Sequence, residues 1–132
     1  MSNESIIKHI YDRLAVGDFQ PVFDSLAPQF EWTEAENIPY SPGYPIKDPA
    51  EIQSVVFNEL AKDFADFHIN VISISSGGAT VLVEGRYVGK TNSGKDLDAI
   101  YAHVWDLKDD KVVRFQQYSD TYQWRRVLGV TE

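Results

Sequence analysis

The sequence contains no cysteine, which removes disulfides, thiolate-bound zinc, iron–sulfur clusters and thiol nucleophiles in one step. Long apolar runs are missing too. No stretch approaches the roughly 18 residues of a membrane span, and none resembles the core of a signal peptide. Positive charge is scarce, with 12 Lys and Arg against 20 Asp and Glu and a formal net charge of −8. Such a balance repels nucleic acid and anionic lipid, so neither nucleic acid nor membrane is expected as a partner. Repeats, low-complexity tracts and linkers are also missing. A chain of 132 residues is long enough for one sizeable core and too short for two, so one cytoplasmic domain over residues 1–132 is expected.

Aromatic side chains are plentiful, with three Trp, seven Tyr and seven Phe. They supply large contact areas, whether they fill a core or line a cavity. The first half of the chain has helical spacing. Ile7, Ile10, Tyr11 and Leu14 form one stripe that opens after Ser2 and Asn3 and stops at Gly17. A second helix is expected after Asp18, with Phe19, Val22, Phe23 and Leu26 on one face until Pro28 ends it. The third has the clearest start. Asp48-Pro49-Ala50-Glu51 joins a capping Asp, a Pro at the first helical position and an early Glu, with Ile52, Val55, Val56 and Leu60 to bury. The aromatic, Pro-rich stretch at 39–49 reads as an ordered loop.

From Phe67 the period shortens to near two, and turn-forming clusters appear at 76–78, 91–94 and 108–110. Four long strands are expected near 67–75, 79–90, 96–107 and 112–120, with a short one near 30–34. The apolar phase slips at Val71-Ile72, which implies a bulge, and Gly85 and Gly89 fall where a strongly bent sheet needs small residues. Helices followed by a meander define an α+β fold, with the helices on one face of a strongly bent antiparallel sheet. A short amphipathic turn, Tyr122 to Leu128, follows the last strand.

That order resembles the nuclear-transport-factor-two-like superfamily. The runs EWTEAENIPYSPGYPI at 31–46, HVWDLKDDKVVRF at 103–115 and QQYSDT at 116–121 are similar to its SnoaL-like, ketosteroid-isomerase-related branch. The resemblance implies a cone-shaped curved antiparallel sheet packed on three N-terminal helices and enclosing a deep pocket for a small hydrophobic molecule. It also implies either cofactor-independent acid/base chemistry on a carbonyl or epoxide, as in polyketide cyclases, isomerases and limonene-type hydrolases, or a non-catalytic binding module. Fold alone does not decide between these.

Asp120 matches the Asp closing the YxDT motif that SnoaL-type cyclases use as acid/base, and it stands equally well as the N-cap of the helix after it. His103 shares a strand face with Tyr101 and Trp105, where an imidazole either polarises a substrate oxygen or is a satisfied structural side chain. Trp32, Tyr40, Tyr44, Phe57, Tyr101 and Trp105 are candidate walls of a substrate pocket, with Tyr40 and Tyr44 as its lid. Gln117 and Tyr118 alternate on the last strand, and one of them should face inward. Steroid isomerases place a proton-abstracting Asp on the first short strand. This chain has Trp32 there, and Glu31 or Glu34 substitutes only in a shifted register.

Glu84 and Arg86 form a weak echo of the limonene-hydrolase arrangement, or a solvated pair on the outer face. The GKTNSGK run at 89–95 has phosphate-loop spacing, but Asp96 replaces the required Ser or Thr and the run joins two strands, so it reads as a hairpin. His9, His68 and His103 lack ligand spacing, so no metal and no cofactor is expected. A homodimer is expected, and a third reading of the function is a scaffold with a filled interior that dimerises through the outer sheet face, where Ile72, Val88 and Val104 offer apolar surface.

Overall fold

The computed structural model describes residues 2–130; Met1, Thr131 and Glu132 of the expected 1–132 span lie outside the described residues. Ser2 starts the first helix, Asn3–Leu14, by accepting the Ser5 N–H at 3.1 Å. That helix buries Ile7, Ile10 and Tyr11. The second helix, Gln20–Ser25, begins where Asp18 Oδ1 accepts the Gln20 N–H at 3.1 Å. It ends earlier than its apolar stripe suggests. Leu26 is extended and opens strand β1, Leu26–Thr33, because Pro28 disfavours helical geometry at Ala27 and the segment gains a partner strand instead.

The third helix starts as expected, with Asp48 Oδ1 accepting the Ala50 N–H at 2.9 Å. It runs as an α-turn, Pro49–Ile52, a π-turn, Gln53–Phe57, and a second α segment, Asn58–Asp63. The wider π-turn brings the adjacent residues Val56 and Phe57 both into the interior.

Strands β2 (Phe64–Gly77), β3 (Thr80–Thr91), β4 (Asp96–Lys108) and β5 (Lys111–Ser119) form the meander, and the sheet order is β1-β5-β4-β3-β2. The short strand departs from the expected all-antiparallel sheet. β1 pairs with β5 in parallel, with Trp32 opposite Phe115. The cause is topological: the chain leaves β1 through a loop and the third helix to the far edge, so the returning meander ends beside β1 running the same way. The GKTNSGK run is a turn between β3 and β4, closed by the Gly94 N–H on Thr91 O at 2.9 Å.

Curvature follows from small residues. The β2–β3 register shifts between Val71 and Ser73, and Gly85 lies opposite Val71. A Cβ on Gly85 would lie 1.9 Å from the Asn70 carbonyl oxygen and 2.5 Å from Tyr101 Oη. Without it, the Tyr101 hydroxyl crosses the strand and donates to Asn70 O at 3.1 Å. Gly89 makes a similar close approach to Asp66 O.

Alternation then sorts the side chains. Val81, Val83, Tyr87, Tyr101, His103 and Trp105 are buried on the concave face, while Glu84, Asp98 and Ile100 are exposed on the convex one. Arg86 pairs with Asp98 at 2.6 Å and Glu84 accepts from Ser73 at 3.3 Å. Glu84 and Arg86 therefore stand outside the cone as solvated pairs. Ile72 is 70% exposed, whereas Val88 and Val104 are half-buried. The C-terminal helix, Thr121–Val127, closes the wide end by burying Trp124 and Val127.

Gly85→Ala should cost about 2–3 kcal/mol, because the new methyl overpacks a backbone oxygen that has no room to retreat. Urea unfolding measures this; a loss below about 0.5 kcal/mol would show that the sheet bends without that glycine.

Candidate functional site

The concave face, the first and third helices and the C-terminal helix enclose a cavity of about 50 Å³. Its walls are almost wholly apolar, with Trp32, Phe57, Phe67, Trp105, Phe115 and Trp124 supplying rings. Trp32 stacks on Phe115 at 3.9 Å between centroids and meets Trp105 edge-on at 5.8 Å. The space holds a few water molecules or a small fragment, and a larger guest requires the rings to shift. A groove of about 220 Å³ on the surface shares Leu14, Phe57, Leu60, Phe67 and Ile69 with the cavity. Phe19 stacks on Phe57 at 4.8 Å within that groove. The π-turn residue Phe57 thus stands between solvent and interior.

Polar groups enter this apolar space in two places. The first is centred on His103, whose Nδ1 lies 2.5 Å from Tyr11 Oη and whose Nε2 contacts Tyr87 Oη. The Trp105 indole N–H donates to Tyr11 at 2.9 Å, and Gln117 Nε2 donates to Tyr87 at 2.8 Å. The Ala35 amide donates in turn to Gln117 Oε1 at 3.0 Å. Burial holds the His103 imidazole down at about 3, so it is neutral. Burial also pushes the Tyr11 and Tyr87 hydroxyls well above the ordinary phenol range, so both keep their protons.

The second is Glu34, just past the end of β1, only 5% exposed and lining the cavity. Burial raises its carboxyl to about 7, opposed in part by the Trp32 indole N–H that donates to Oε2 at 2.9 Å. Among the described residues its hydrogen bond is made through Oε2. A carboxyl that is half ionised near neutrality and faces an apolar cavity is suited to taking and returning a proton.

Of the residues singled out from sequence, Trp32, Tyr40, Phe57, His103, Trp105 and Gln117 line this cavity together. Tyr40 is buried and tied to Asp63 by its hydroxyl at 2.9 Å, so it closes the wall where a lid was expected. Tyr44 is 53% exposed and donates to Glu51, away from the cavity. Tyr101 lies behind the wall, stacked on His103 at 4.2 Å. Period-two alternation on β5 turns Gln117 inward and Tyr118 outward. Asp120, on the same outward phase, is exposed, and its side chain makes no capping bond to the helix it precedes. The structure therefore does not bring Asp120 to His103, and it leaves the carboxylate in solvent.

Two residues of the site, Tyr11 and Tyr87, were not expected there, and Glu34 was expected only in a shifted register. Tyr11 looked like part of a helix stripe, and Tyr87 was masked by the glycines on either side of it. Glu34 continues the alternation of Phe30 and Trp32, both buried, and that parity was the available signal. No grouping of side chains suited to a metal ion occurs among the described residues, and no helix among them is long and apolar enough to cross a membrane.

The sequence profile of the SnoaL-like domain matches residues 7–115. No curated protein matches. An NTF2-like protein of Burkholderia thailandensis superposes with a TM-score of 0.90 at 26% identity, covering 97% of this chain and 98% of its own. TerC, co-crystallised with polyporic acid, superposes at 0.84 with 19% identity over 96% of this chain and 98% of its own. IdmH of Streptomyces antibioticus, a candidate polyketide cyclase, gives 0.79 with 18% identity over 98% and 100%.

Glu34 sets a pH signature. With its carboxyl raised from the ordinary 4.5 to about 7, the folded protein binds that proton more tightly than the unfolded chain. The resulting stability is complete below about pH 4.5 and is lost as pH rises through about 7, in total about 3 kcal/mol. Urea unfolding across this window should show the wild type losing about that much relative to Glu34→Gln; parallel profiles would mean the carboxyl is well solvated.

Proposed function

The chain belongs to the SnoaL-like family, and on that premise we propose that it is a cofactor-independent acid/base enzyme acting on a small apolar carbonyl compound. The observation that carries this reading is Glu34, a carboxyl raised to about 7 inside an apolar, ring-lined cavity. In this scheme the Glu34 carboxylate removes a proton from the carbon next to the carbonyl. The electron pair moves onto the carbonyl oxygen as an enolate, which a tyrosine hydroxyl beside His103 stabilises. Glu34, now protonated, returns the proton to carbon and the carbonyl re-forms.

His103 serves this chemistry indirectly. Both of its nitrogens are engaged by tyrosines, so it orients the hydroxyls rather than touching the substrate. The role expected of Asp120 passes to Glu34. Neighbours of the same fold lend support, since TerC was crystallised with an organic acid and IdmH is a candidate cyclase.

The non-catalytic reading, a small-molecule-binding module, is favoured by the size of the cavity, about 50 Å³. Hydrogen–deuterium exchange separates the two. In D₂O at neutral pH the protein should exchange the α-hydrogens of small cyclic enones and β-diketones, followed by NMR. Glu34→Gln should slow exchange by about 10²–10⁴-fold, while Asp120→Asn should leave it unchanged. Equal exchange with wild type and Glu34→Gln would return the chain to the binding class.

A further inference from the structure

The groups around His103 hold a fixed number of protons, and their hydrogen bonds constrain where each can lie. A backbone amide only donates, so the Ala35 N–H on Gln117 Oε1 fixes the amide with Nε2 toward Tyr87. An indole N–H also only donates, so Tyr11 Oη must accept from Trp105. Each phenol oxygen therefore already receives one hydrogen bond from a fixed donor. Between them lies an imidazole held neutral by burial, with one N–H and one lone pair. The two phenols and the imidazole together hold three protons, and their two mutual contacts use two. One hydroxyl proton is left over whichever tautomer forms, and Tyr11 and Tyr87 both line the cavity.

The two tautomers place that proton at opposite ends. With the proton on Nδ1, His103 donates to Tyr11 and the Tyr11 hydroxyl turns away. With the proton on Nε2, His103 donates to Tyr87 and the Tyr87 hydroxyl turns away. We propose that His103 rests in the Nε2–H form, so that Tyr87, and not Tyr11, presents the network's spare hydroxyl proton to the cavity and receives the carbonyl oxygen of an otherwise apolar ligand.

The placement of Glu34 favours the Tyr87 end. Glu34 and Tyr87 line the same cavity, and the next residue, Ala35, is joined to Tyr87 through the Gln117 amide, so the carboxylate stands on the Tyr87 side of the network, and a carboxylate draws a hydroxyl proton toward itself. The inference rests on the proposed acid/base reading for its ligand class, a neutral carbonyl compound with one acceptor at the donor end and a mobile proton at the Glu34 end. A ligand with a charged group at the donor end is refused, because one neutral hydroxyl among rings cannot replace its water.

The test has two readouts, neither involving turnover. Selectively ¹⁵N-labelled histidine distinguishes the imidazole tautomers by NMR at neutral pH, and His103 should be protonated at Nε2 alone. An Nδ1–H or doubly protonated ring overturns the proposal. Cyclohex-2-enone labelled at its carbonyl carbon is then the probe. Its bound C=O stretch should fall below the value in hexane for the wild type and for Tyr11→Phe. In Tyr87→Phe the shift should disappear, with binding weaker by about tenfold. A shift lost in Tyr11→Phe and kept in Tyr87→Phe overturns the proposal, as does no shift or no binding in the wild type. Should Tyr87→Phe fail to fold, the wild-type tautomer and Tyr11→Phe still decide. An exchange-inactive protein with the Nε2–H tautomer and a Tyr87-dependent shift would leave this inference standing while removing the enzymatic one.

Discussion

A neutral imidazole with both nitrogens occupied ties the layers of this protein together. His103 belongs to β4, Tyr87 to β3, Tyr11 to the first helix, Gln117 to β5 and Ala35 to the loop after β1. A buried polar group left without a partner costs on the order of 1–3 kcal/mol, so each member constrains the placement of the next. Apolar packing alone would let the first helix slide or rotate over the sheet at modest cost. The Tyr11 contacts to His103 and Trp105 set its phase. The interior is thus specific where it is polar and accommodating where it is ringed by aromatics.

The same residues show what the sequence made readable. Caps and periods located the helices: Ser2 and Asp48 each receive the expected amide. The phase slip at Val71-Ile72 and the glycines at 85 and 89 forecast the bend, since bulges and close approaches depend on the local residues that form them. Whatever depended on the partner of a strand was less legible. The parallel pairing of β1 with β5 follows from the path of the chain, and the inward turn of Gln117 from a parity that two neighbouring candidates left open. Tyr11 and Tyr87 were hidden for a related reason. A tyrosine within a hydrophobic stripe looks like core, and only a neighbour 92 positions away in sequence, as His103 is from Tyr11, shows that its hydroxyl has work to do. The exposure of Asp120 was not legible, because motif resemblance fixes a position in sequence but not the direction in which a side chain leaves the end of a strand.

The small cavity and the π-turn belong together. A π-turn has a wider bore and a less regular hydrogen-bond ladder than the α-helix around it, and such turns recur at functional sites. Here it carries Phe57, which is shared between the interior and the surface groove beside the first helix. That one ring, stacked on Phe19, lines both spaces and separates them. Burial in this apolar, ring-lined interior is what lifts the Glu34 carboxyl and keeps His103 uncharged.

The loop between β1 and the third helix also acts on the sheet margin. Trp32 gives its amide to Ile46 O at 2.9 Å and accepts from the Ile46 amide at 2.8 Å, so the outward ladder of β1 is partly occupied by its own chain. Pro28 supplies no amide along the same margin. At the other margin, β2 is interrupted by its bulge and carries Asp66, His68 and Asn70. Neither border offers a long, regular template to a stranger's strand, so the protein can keep a large sheet while resisting the stacking that leads to fibrils.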